Sequence, residues 1–309
     1  MCFRFLRAIL ILATLSANAG SQTDTLAATI EQNLRGQYQG KIFLLRNFLT
    51  GDHLYYNLSG SPIGSNVPGD WTADGFVMVN DVQLRQQSLM LEARRLLVVS
   101  LNHKFQFRPA ERSLPGAKEE KEPVSVEITI DLGPNTPSAE AAEALTSKVF
   151  LSGQDSLADL VPTYWKSCIR SGLNDRHPAC RFSSEILAIQ GVLPSERPQL
   201  GLLAIDPSSD APKGSFLVGN GVSPPKQIYA PEPEFSDAAR GVKFQGIVVV
   251  ALIVNAEGVP TAVHILSPLG AGLDAKAVQA VKSWKFKPAE KDGQPVAVTI
   301  AVQVDFHLY

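Results

Sequence analysis

Nine consecutive residues, Gly246 to Val254 (GIVVVALIV), are apolar or glycine and rich in β-branched side chains. The run is too short for a membrane helix, which takes ~20 residues, and turn formers bound it, so it predicts a central strand. The segments after it must pack on it. Asn255-Ala256-Glu257-Gly258 supplies a turn, and Val259 to Leu266 resumes the apolar pattern, giving an antiparallel hairpin. Leu273, Ala277, Ala280, Val281 and Trp284 then recur at three- and four-residue steps, the mark of an amphipathic helix. Asp274 near its start and Lys285 and Lys287 near its end suit the helix dipole, and Pro288 stops it. After the turn Lys291-Asp292-Gly293, residues Val296, Val298, Ile300, Val302, Val304 and Phe306 alternate with Ala297, Thr299, Ala301, Gln303 and Asp305, so one face of this last strand is buried and the other wet. Phe235 to Gly241 reads as a short helix capped by Ser236. The order helix, strand, strand, helix, strand predicts a small α+β unit over residues 225–309.

These residues carry a resemblance. The run Tyr229 to Arg240, then Gln245 to Val250, Leu273-Asp274, Ala280 to Ala289, Asp292 to Val296 and the terminal apolar strand resemble the C-terminal domain of the TonB family. The resemblance implies a small antiparallel sheet with two helices, and a way of working. Proteins of that family take an extended segment of an outer-membrane receptor beside the last strand and transmit force from an inner-membrane motor. By this resemblance the docking strand is Val296 to Phe306, with Thr299, Ala301, Gln303 and Asp305 as the outward positions that tune partner choice. An alternative stays open: the edge pairs with the chain's own segment around Gln227 to Tyr229, or with a second copy as a homodimer. Full TonB proteins carry an uncleaved membrane helix and an extended tether; a short cleavable leader and folded modules are expected here instead.

The first two hundred or so residues resemble nothing by motif. Arg4 and Arg7 precede the apolar run Ala8 to Leu15, and Ala17-Asn18-Ala19 offers a cleavage site before Gly20, so residues 1–19 read as a signal peptide and the mature chain as periplasmic; an uncleaved inner-membrane anchor is the other reading. Cys2 falls within the leader, too early to carry a lipid. Cys168 and Cys180 are the two remaining cysteines, and in an oxidising compartment they are expected to pair. His177 lies between them, but the spacing fits no zinc pattern, so no metal is expected.

A helix is expected over Thr23 to Leu34 on the stripe Leu26, Ile30, Leu34. Candidate strands are Lys41–Phe48, Leu54–Leu58, Gly75–Val79, Gln83–Leu91, Arg94–Leu101, Phe105–Phe107 and Val124–Asp131, which together suggest a β-rich barrel or sandwich over 20–132. Residues 133–190 turn helical, with Leu157, Leu160, Val161 and Trp165 on one side and the disulfide loop at the end. Residues 191–224 read as a proline-rich linker. A net charge of -2 without blocks of one sign argues against a nucleic-acid groove. Histidines 53, 103, 177, 264 and 307 are scattered singly, and no nucleophile elbow, zinc helix, phosphate loop or dinucleotide fingerprint occurs, so neither an enzyme nor a cofactor is expected. The function expected is binding of an outer-membrane receptor or other envelope protein. The alternative is a structural adaptor whose β-rich module holds a ligand or an envelope component.

Overall fold

The computed structural model describes residues 25–114, 120–134, 138–173, 179–189, 192 and 214–308. The leader, His177 and most of the proline-rich stretch lie outside them. Helix α1 (residues 25–38) buries Ile30, Leu34 and Tyr38 and leaves Leu26 exposed, so the buried stripe lies one turn beyond the expected one.

Strands β1 (Ile42–Leu44), β2 (His53–Tyr56) and β3 (Pro62–Ile63) are short, and α2 (Trp71–Asp74) is a single turn capped by Asp70. Then come two long strands, β4 (Phe76–Arg85) and β5 (Ser88–Leu101), which form one hairpin. The sequence reads three shorter strands here. Asn80-Asp81 looks like a break but forms a bulge in β4, where the register shifts between Val79 and Asp81. Arg94 and Arg95 lie within β5, and the buried Arg95 guanidinium donates to the carbonyls of Leu49, Gly51 and Asp74.

Strand β6 (Lys104–Pro109) folds back along the second half of β5, while β7 (Glu111–Ser113) and β8 (Lys121–Pro123) form a separate antiparallel pair. Strand β9 (Ser125–Asp131) then takes up the first half of β5. With β10 (Arg181–Phe182) added in parallel to β6, these elements make one mixed sheet of eight strands, ordered β1-β4-β5-β9-β2-β3 with β6 and β10 beside it.

Each face of the sheet has its own core. On one, Val77, Val79, Leu89, Leu91, Val126 and Ile128 pack against α1 and α3 (Ala139–Val149). On the other, Phe76 and Leu96 to Val99 meet α4 (Leu157–Leu160), α5 (Thr163–Leu173) and α6 (Ser184–Leu187). Trp165 of α5 is fully buried there, edge-on to Trp71 at 5.2 Å between ring centroids. Cys168 and Cys180 form the expected disulfide, buried in this core, with Gly172 so close to the Cys180 carbonyl that an added Cβ would lie 1.7 Å from it. Replacing both cysteines by alanine is expected to lower stability by about 3 kcal/mol, read as a lower denaturant midpoint that reductant no longer shifts.

The C-terminal unit adds β11 (Phe216–Leu217), β12 (Lys226–Tyr229), α7 (Asp237–Gly241), β13 (Gly246–Val254), β14 (Pro260–Ser267), α8 (Leu273–Ser283), β15 (Lys285–Lys287), β16 (Ala289–Lys291), β17 (Gln294–Val296) and β18 (Val298–Phe306). Its main sheet runs β11-β18-β13-β14, with β13 in the middle as the GIVVVALIV run requires. Val248, Val250, Leu252 and Val254 point into the core, and α8 covers them with Ala277, Val278 and Val281.

This core does not stop at the unit's border. It is continuous with the α5 face of the eight-stranded sheet. Backbone bonds cross the seam: Ser100 donates to the Leu269 carbonyl at 2.6 Å and Ala271 to that of Val98 at 2.8 Å. At Gly270, φ is +88° and an added Cβ would lie 2.0 Å from the Val98 carbonyl, so only glycine lets this loop approach β5 so closely.

Candidate partner-binding edge

β18 pairs along its whole length with β13, from Val254↔Val298 to Gly246↔Phe306. Its other flank is different. Only Val298 and Thr299 have a strand opposite, the two residues of β11, and among the described residues no strand pairs beyond them. The Phe216 N–H donates to the Ala297 carbonyl at 2.8 Å, which fixes Ala297 as a residue whose backbone faces outward. Backbone direction alternates along a strand. The N–H and C=O groups of Thr299, Ala301, Gln303 and Asp305 therefore face the outer flank, while those of Ile300, Val302 and Val304 bond to β13.

The sequence-predicted positions are thus brought together on one strand, with Ala301, Gln303 and Asp305 exposed and Thr299 half-buried. Their side chains form the wet face and their main-chain groups the open rim. Asp305 is tied to His307, whose Nδ1 lies 2.6 Å from its carboxylate. Val304 and Phe306 are buried, and Phe306 meets Phe235 edge-on, so the helix side of β18 is anchored even where its outer flank is bare. The segment Gln227 to Tyr229, one alternative occupant, pairs instead with β15. The opposite sheet edge, β14, packs against α5, which leaves β18 as the accessible rim.

A second feature lies at the seam, and no motif in the sequence announces it. A cavity of about 810 Å³ is walled by Phe48, Asp70, Tyr164, Ala238 and Lys276, among others, drawn from the β-rich part, helix α5 and the C-terminal unit. Two acids sit close by. Asp274, fully buried, accepts from the N–H groups of Leu269 and Gly270 at 2.9 and 2.6 Å and so holds the seam loop. Burial nevertheless pushes its carboxyl up to about 7, with Asp70 adding to the rise. Burial also takes Asp70 to about 6, although the Thr72 hydroxyl and N–H favour its charged form. Burial raises the Tyr164 hydroxyl, and both acids push it further.

Acids whose pKa values are raised by folding hold protons more tightly in the folded chain, so they stabilise it at low pH and that contribution is lost as pH rises through about 6 to 7. Asp155 acts in the opposite sense, since Arg46, bonded to both its oxygens at 2.7 Å, holds it at about 2. Its contribution is lost only in strong acid. Melting temperature is therefore expected to be higher at pH 5 than at pH 8, and Asp70→Asn, which keeps an acceptor for the Thr72 N–H, should flatten the difference in a thermal melt.

Among the described residues no three His, Cys, Asp or Glu side chains are grouped so as to hold a metal ion. His264 Nδ1 lies 3.0 Å from the nearby Ala262 carbonyl oxygen, and His53 lies 3.8 Å from Glu127 on the surface.

Compared with known proteins, residues 231–308 match the family described as Gram-negative bacterial TonB protein C-terminal. This stretch is a TonB-family C-terminal domain. Protein TonB of Vibrio cholerae serotype O1 is 35% identical over 78 residues, which is 25% of this chain and 32% of that protein. Protein tonB2 of Pseudomonas aeruginosa is 32% identical over 82 residues, 26% of this chain and 30% of that one. The chain thus spans about a third of the length of these curated relatives. The solution NMR structure of the Pseudomonas aeruginosa TonB CTD overlays with a TM-score of 0.25 at 20% identity, covering 30% of this chain and 91% of that one. The TonB-type domain carries β18, so the family match and the open rim fall on the same residues.

Proposed function

We propose that this chain is a periplasmic protein that takes up an extended segment of an outer-membrane receptor, or of another envelope protein, by adding it as a strand beside β18. One observation carries the reading: the rim at Ala301, Gln303 and Asp305 lies in the part that matches the TonB family. Main-chain bonds supply affinity in such an addition, and the side chains at alternate positions choose the partner.

A second reading has support of its own. The TonB-type domain shares a core with the eight-stranded sheet and is bonded to it through Val98 to Ser100. Such a domain is held in place and does not swing on a tether, which suits an envelope adaptor that docks a partner without transmitting force. Among the described residues no helix is long and apolar enough to cross a membrane.

The test uses the full chain with a photo-cross-linking residue at Gln303, activated in intact envelopes. Capture of an outer-membrane receptor supports the first reading. Capture of a non-receptor envelope component supports the adaptor, and capture only of a second copy overturns both.

A further inference from the structure

The rim of β18 is not bare throughout. Phe216 and Leu217 run parallel to it opposite Val298 and Thr299, and Ser215 Oγ lies 2.9 Å from Thr299 Oγ1. The Lys291 ammonium stands 4.5 Å from the centre of the Phe216 ring. Beyond Leu217 the chain leaves the edge at Gly219-Asn220-Gly221, with φ of +107°, +50° and +86°. It is then fastened. Val222 is buried and bridges to Lys291, and Ser223 donates to the Glu290 carbonyl at 2.9 Å while its hydroxyl accepts from the Glu290 N–H at the same distance.

The tip contrasts with this base. Phe216, Leu217 and Val218 are three consecutive large apolar residues, yet they stay 39%, 52% and 44% exposed. A segment that packed for stability would bury them. This one makes a two-residue ladder on an edge and leaves its apolar side chains in water, fixed at one end by a hinge-like turn.

We propose that residues 215–218 are an internal strap on the docking edge, which a guest strand must displace to reach Val298 and Thr299. The proposal rests on the reading of β18 as a docking edge. A guest confined to Ile300 to Phe306 does not meet the strap, whereas a longer one competes with it. The strap thus selects guests by length and by their ability to outbid a tethered strand. A tethered competitor works at an effective concentration on the order of millimolar, so weak or transient guests are refused at the two strapped positions.

The experiment compares three forms of the full chain: the native protein, a loosened variant with Phe216→Gly, Leu217→Gly and Val218→Gly, and a locked variant with Ser215→Cys and Thr299→Cys. The probe is a fluorescent peptide copying residues 214–222, followed by anisotropy. The loosened variant is expected to bind it at least tenfold more tightly than the native chain, and the oxidised locked form not at all. Equal affinity for native and loosened chains, or no binding to the loosened chain, overturns the proposal. Amide exchange provides a probe-free check: the Thr299 amide should exchange at least tenfold faster in the loosened variant, with Val250 and Val302 unchanged. Unchanged exchange at Thr299 overturns it equally. Cross-linking at Gln303 reports on receptor docking separately, so either idea can fail alone.

Discussion

Trp165→Ala is expected to lower stability by about 3–5 kcal/mol and to melt the eight-stranded sheet and the TonB-type domain in one transition. Trp165 is fully buried, stacked edge-on against Trp71 and close to Phe105, in the core that also contains Val248, Leu252 and Val281. Removing the indole opens a cavity where the two sheets meet, and neither can collapse into it without parting from the other. Urea unfolding measures this when it is followed by circular dichroism and by amide signals from each sheet, with Leu91 in β5 and Val250 in β13 as reporters. Two separate transitions, only one of them shifted, would show that the seam is a contact and not a common core. Leu145→Ala is the control, because Leu145 lies in the core on the opposite sheet face.

Two adjacent prolines should behave in opposite ways. The Val302 N–H faces β13, where Val302 is paired with Val250, so Val302→Pro removes a ladder bond, forces a ring into a paired strand and is expected to lower the melting temperature sharply. The Gln303 N–H faces the outer rim, and proline is tolerated on that side of an edge strand. Gln303→Pro is expected to keep the fold, seen as an unchanged dichroism spectrum and a melt within a few degrees of the native one. It should cut capture of the envelope partner at least tenfold, since one main-chain donor is gone and the ring stands in the guest's place. If Gln303→Pro captures partner as well as the native chain does, docking does not use this rim. Thr299→Pro is less informative, because that position already faces β11.

Much of the C-terminal unit was legible because its signals are local. An apolar run, a strict alternation, a helical stripe from Leu273 to Trp284 and Ser236 as a cap each point to a single local structure, and the structure agrees except at the helix end: it stops at Ser283, and Lys285 to Lys287, read as its last turn before Pro288, form β15. The wet side chains of β18 followed from the alternation, but which of its main-chain groups face outward did not, and is fixed by the Phe216 N–H bond to Ala297. The N-terminal sheet was legible only as strand-rich. Its long hairpin was divided in the wrong places because Asn80-Asp81 is a breaker by local rules and the charged Glu92 interrupts the apolar pattern, yet Asn80-Asp81 is absorbed as a bulge and Glu92 and Ala93 pair with Asp81 and Val79 in one continuous ladder. The turn at Gln86-Gln87 carries no glycine, proline or asparagine to announce it. The seam and the β11 contact depend on which surfaces meet, and no pattern within Leu96 to Val99 or Phe216 to Val218 names a partner.

The bridge between Val99 and Gly270 joins residues separated by more than half the chain. During synthesis the apolar second half of β5 emerges long before the loop that will cover it, so the nascent protein carries an unfinished surface until its last third appears. Products ending before residue 225 should therefore be prone to aggregation and dependent on chaperones, and secretion in an unfolded state would spare the cell that hazard by postponing assembly until every residue has crossed.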